Sequence, residues 1–349
     1  MIPQLIMFGV GAVASGTAFR RWKRLSGESK LAMWRLYGLF TGLICCGSFF
    51  GAGAWGSNMK QLELYFIASH DASKSVMTQE ALAQLNADSY RWWAAFFVLY
   101  SLEFLCLSVA KLAILDRMLS FAATTRTRRL NGARRLVMFV VVAGNSAGVA
   151  GNIATAVYLG HTADYCSAAA QSFRTNLTVV GNELNSQSNY AYQSASEAMS
   201  IQRFSEVAVL LLITASFVAA GCLCSTRIRS ALRELSKSNE NEVDVAAIAS
   251  ASGHELFRKV FVTVSVVFIT FLLRAAYSIM NAFTAALQNV HVGCPSLCVW
   301  PCNNRYALMQ TYLTFRIELS LSVILISSPT ALLIALWGMS SVRVTTSAV

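Results

Sequence analysis

Residues 90–118, YRWWAAFFVLYSLEFLCLSVAKLAILDRM, constrain the fold more than any other stretch. The run is apolar and longer than the roughly 20 residues a helix needs to cross a bilayer. Trp92 and Trp93 open it, as aromatic residues do at a membrane–water boundary, and Asp116-Arg117 close it. Glu103 lies near its middle and Lys111 nearer its end. An ion at bilayer depth costs at least ~2.5–3.5 kcal/mol on insertion scales, so it faces protein or water rather than lipid. The stretch therefore predicts a helix at the centre of a bundle.

The rest of the chain repeats the pattern. Only 13% of the 349 residues are charged, where about 25% is usual for a soluble domain. Apolar runs fall at about 2–19, 34–55, 91–115, 136–159, 204–224, 260–283 and 311–339. They predict an all-α, polytopic membrane protein, one bundle of seven transmembrane helices. Soluble helices rarely run so long without charge, so a soluble enzyme does not fit.

The net charge is +11, and its distribution sets orientation. Basic residues follow the first run at Arg20, Arg21, Lys23 and Arg24. A second group is Arg117, Arg126, Arg128, Arg129, Arg134 and Arg135, and a third spans the long loop 225–259. Basic connectors stay in the cytoplasm, which predicts an outer N-terminus and a cytoplasmic C-terminus. Positive charge after the first run, rather than before it, favours a retained helix over a cleaved signal peptide. The same distribution speaks for topology and against nucleic-acid binding. Segment 160–203 then reads as a long outer loop, and 56–89 as a shorter one.

Small residues recur four apart, at Gly38/Gly42, Gly47/Gly51 and Gly144/Gly148, which lets helices approach closely. Asn145 and Asn152 are expected to bond across helices. Depth along their helices puts Glu103, Arg274 and Glu318 near one level, so Arg274 is expected to pair with Glu103 or Glu318. Together with Lys111 and Asn152 these are the candidates for a ligand or ion pathway. Cys166, Cys294, Cys298 and Cys302 fall in polar outer segments and are disulfide candidates whose pairing the spacing leaves open. Asn176, in Asn176-Leu177-Thr178, is a glycosylation candidate. No phosphate loop, metal-site pattern or nucleophile motif is present, so neither an enzyme nor a metal or cofactor is expected.

Asp116-Arg117-Met118 resembles the Asp/Glu-Arg-Tyr motif of rhodopsin-type G-protein-coupled receptors. The resemblance implies a cytoplasmic switch at Asp116 and Arg117. Met118 replaces the tyrosine, and Ser328-Pro329-Thr330-Ala331-Leu332 stands where that family has Asn-Pro-x-x-Tyr. No family is assigned. The leading expectation is a receptor-like protein of the plasma membrane or another secretory-pathway membrane. Its outer half binds a small ligand and its basic loops bind a cytoplasmic protein. A transporter or channel using Glu103 and Arg274 is the alternative, and a structural membrane scaffold the third.

Overall fold

The computed structural model describes residues 2–25, 32–73, 78–123, 128–238 and part of 258–283. Five helices account for almost all of them: α1 (Ile2–Leu25), α2 (Ala32–Ser73), α3 (Gln79–Ala123), α4 (Arg128–Arg174) and α5 (Thr178–Ser238). The described positions within 258–283 are helical as well, and no strand occurs among the described residues. The seventh run, 311–339, lies outside them. Four spans are long and apolar enough to cross a membrane: Gly38–Ala68, Gln79–Ala110, Arg135–Arg174 and Thr178–Leu223. The chain is thus an all-helical protein with the build of an integral membrane protein.

Successive helices run antiparallel. Gly42 of α2 faces Phe19 of α1, and Gly51 faces Phe8. Gly47 faces Leu107 of α3, whereas Gly53 faces Leu99. Gly148 of α4 meets Phe104 of α3, and Gly151 meets Gln202 of α5. These pairs bring all the basic helix ends named above to one end of the bundle. The α2–α3 and α4–α5 turns lie at the other, the hairpin end. α3 packs against α2, α4 and α5, which makes it the central helix.

The helices do not stop where the apolar runs stop. At 61 residues α5 is about 90 Å long, three times a ~30 Å hydrocarbon core. Segment 160–203, expected as a loop, is helical except at residues 175–177. Most of 56–89 is helical too. Packing accounts for this. On α5 the buried positions Gly181, Ser188, Ala195, Gln202 and Val209 repeat every seven residues. Their neighbours on α4 are Phe173 beside Gly181, Cys166 beside Ser188, Gly151 beside Gln202 and Gly144 beside Val209, seven apart at each end with a step of fifteen residues from Gly151 to Cys166. A heptad repeat holds one face of a helix against its partner. On α5 it runs unbroken from the apolar run to the hairpin tip, with small residues that bring the backbones close.

Local signals end the helices. Asn176 adopts φ 60, a left-handed conformation that asparagine tolerates better than most residues. Leu177 N–H donates to Ser172 C=O at 2.9 Å and Asn176 N–H to Phe173 C=O at 3.1 Å, which closes α4. At the start of α3, Ala81 N–H donates to Thr78 Oγ1 at 3.3 Å, a helix N-cap. Arg174 at the α4 tip lies 3.9 Å from Glu80 at the start of α3, an exposed pair that links the two hairpins loosely.

Candidate functional site

Two apolar clusters frame the middle of the bundle. Phe40, Ile44, Leu107 and Ala110 join α2 to α3. Phe97, Ala156, Leu159, Ala195 and Met199 join α3, α4 and α5. Above the second cluster, toward the hairpin end, Tyr90, Trp93 and Tyr192 form an aromatic group with ring centroids 5.7–6.5 Å apart. Exposed Trp92 lies beside it on the outside of the bundle. Aromatic residues at this level mark the position of a membrane interface. Phe96, Tyr100 and Phe104 continue as a stacked column down α3.

Polar side chains collect below that group. Tyr100 Oη donates to the Glu206 carboxylate, 3.1 Å from Oε1 and 3.2 Å from Oε2. Gln202 Nε2 donates to Glu206 Oε2 at 3.2 Å. Glu206 is 5% exposed and Gln202 2%. Seven residues separate Trp93 from Tyr100, so the carboxylate sits about 10 Å below the aromatic group. Glu103, 2% exposed, follows Tyr100 by three residues on α3 and lies deeper still. The bundle therefore carries two buried acids from two helices, one of them held by neutral donors. An acid buried among apolar helices is costly unless it is paired or put to use.

Sequence reasoning missed Glu206. The signal was the one that found Glu103, an acid within an apolar run, but Glu206 is the third residue of its run, where hydropathy marks an acid less sharply. Gln202 fell in the supposed loop and went unnoticed for that reason.

The other expected residues divide clearly. Asn145 and Asn152 are buried, at 4% and 0% exposure. Neither amide makes the expected interhelical hydrogen bond among the described residues; both atoms of each are without a partner there. Asn176 is exposed at the hairpin tip. Cys166 is a free thiol, 5% exposed within α4 rather than on a loop. Its position in the heptad seam explains the burial. Lys111, Asp116 and Arg117 lie on α3 backbone, their side chains outside the described residues. Arg274, Glu318, Cys294, Cys298 and Cys302 also lie outside them. Among the described residues no group of His, Cys, Asp and Glu has the arrangement of a metal site.

Comparison with protein-family models, with curated proteins and with solved structures finds no match to this chain. The class rests on the structure alone: an all-helical protein with helices able to cross a membrane.

Proposed function

We propose that this protein takes up a proton or a small cation within the membrane at Glu206 and Glu103, which places it with transporters or channels. The observation that carries this reading is Glu206, a carboxylate 5% exposed and held by Tyr100 and Gln202, with a second buried acid, Glu103, one turn along α3 from Tyr100. Burying two acids among apolar helices costs stability, and function is the usual return for intramembrane acids. The test is flux. Purified protein in liposomes carrying a pH-sensitive or sodium-sensitive dye is expected to dissipate an imposed gradient. Glu206→Gln and Glu103→Gln are each expected to slow this at least tenfold while the protein remains folded. Equal flux in wild type, both variants and empty liposomes defeats the reading.

A receptor-like function is the second reading, and one observation favours it. Between α4 and α5, near the hairpin end, Tyr158, His161, Tyr165 and Tyr190 line an open groove of about 370 Å³. Its volume is in the range of small-molecule sites. Ligand-dependent binding without flux supports that reading. A scaffold role gains if charge-neutral substitutions change only expression and thermal stability.

For sidedness, the hairpin end faces outward and the basic end faces the cytoplasm, where a protein partner binds. The plasma membrane or another secretory-pathway membrane fits a glycan at Asn176. Expressed in a glycosylating host, the protein is expected to show a glycosidase-sensitive mass increment that Asn176→Gln removes. An unmodified Asn176 would reverse the assignment of ends.

A further inference from the structure

The contact between Gly148 of α4 and Phe104 of α3, 3.4 Å from a Cβ built on the glycine, fixes the register of those helices. One turn toward the hairpin end, α4 presents Asn152 and α3 presents Ser101. One turn the other way stand Asn145 and Ser108. The spacing is seven residues on both helices, so the two asparagine–serine levels sit on one seam with Phe104 between them. All four side chains are buried, at 0% to 4% exposure. Both amide atoms of Asn145, both of Asn152 and the hydroxyl of Ser101 have no hydrogen-bond partner among the described residues.

Five orphaned polar atoms on one seam call for a common cause. Buried polar groups are ordinarily satisfied, and where protein groups do not reach, ordered water does so. Ser101 and Ser108 are also small where larger apolar side chains would close a helix interface. The chemistry selects the ligand. Amides and hydroxyls offer neutral donors and acceptors and no charge, which suits water rather than a bare ion or an anion.

We infer that the α3–α4 seam is hydrated, with water held at Ser101–Asn152 and at Ser108–Asn145 on either side of Phe104. The upper level adjoins Tyr100 and Gly151, next to the hydrogen bonds that hold Glu206. The upper hydrated level thus lies one residue along α3 and α4 from neighbours of the Glu206 site; its use as a supply route rests on the function proposed above, whereas the hydration does not.

Radiolytic hydroxyl labelling of the full chain in liposomes tests this, with water itself as the probe. Radicals form at bound water and oxidise adjacent side chains. Phe104 and Phe40 are equally buried, at 4% and 2% exposure, and Phe40 lies in an apolar cluster. Phe104 is expected to label several-fold faster than Phe40. The double variant Asn145→Leu, Asn152→Leu is expected to bring Phe104 down to the Phe40 rate. Equal rates in the wild-type protein overturn the inference and require no variant to fold. A normal Phe104 rate in the folded double variant overturns it as well. If Phe104 labels fast but Glu206→Gln leaves flux unchanged, the seam stands and the transport reading falls.

Discussion

Tyr100→Phe is expected to lower stability by about 1.5–3 kcal/mol, the range for a hydrogen bond to a charged group. The phenol is 3.1 Å and 3.2 Å from the two oxygens of Glu206, and losing it leaves a buried carboxylate less well solvated. The loss should then depend on the acid. Glu206→Leu alone is expected to cost less than Tyr100→Phe, because a buried ion replaced by an apolar side chain is often neutral or better. The double variant Tyr100→Phe, Glu206→Leu is expected to recover most of the loss. Unfolding of the four proteins in mixed detergent measures the coupling. Strictly additive losses would mean that the hydrogen bonds from Tyr100 to Glu206 contribute little to stability.

Gly151→Leu is expected to be strongly destabilising. Even an alanine Cβ there would lie 2.7 Å from Gln202 Cβ and 3.4 Å from Gln202 Cα. The Cβ of Gln202 is fixed to its backbone and cannot rotate away, so α5 itself must move. Overpacking of this kind costs about 1–3 kcal/mol for alanine-sized additions, and leucine is larger. Moving Gln202 also strains its 3.2 Å bond to Glu206, so flux should fall with stability. Gly148→Ala is the control. Its Cβ would meet only the Phe104 ring edge at 3.4 Å, which a small ring shift accommodates. Thermal unfolding in detergent is expected to rank Gly151→Leu well below Gly151→Ala, with Gly148→Ala close to wild type. Equal midpoints for Gly148→Ala and Gly151→Ala would show that the α4–α5 approach is looser than the backbone distances imply.

The candidate site was readable in part. Glu103 stood out because an acid in an apolar run has few explanations. Glu206 did not, because hydropathy blurs at the edge of a run and the edge here is not a helix end. The glycine pairs were read correctly as sites of close approach, but not the partner that each meets. Gly148 faces α3 and Gly151 faces α5, three residues apart on one helix. Small-residue spacing carries no information on which neighbour fills the gap. The asparagines were read as cross-helix partners because amides seek bonds. What opposes them depends on register, which local sequence does not fix.

The amino-acid sequence by itself determined that the chain is helical and apolar enough to cross a membrane, that its helices alternate in direction, and that its positive charge gathers at one end. Those properties follow from composition along single segments, which act one helix at a time. Only the tertiary structure decided that α4 and α5 continue as one heptad-packed pair through 160–203. A polar, alanine- and serine-rich segment becomes helix or loop according to whether a partner covers its small-residue face. The same holds at the site: an acid at the edge of an apolar run becomes a buried carboxylate only when Tyr100, more than a hundred residues away in sequence, closes on it beside Gln202, one turn before it on α5.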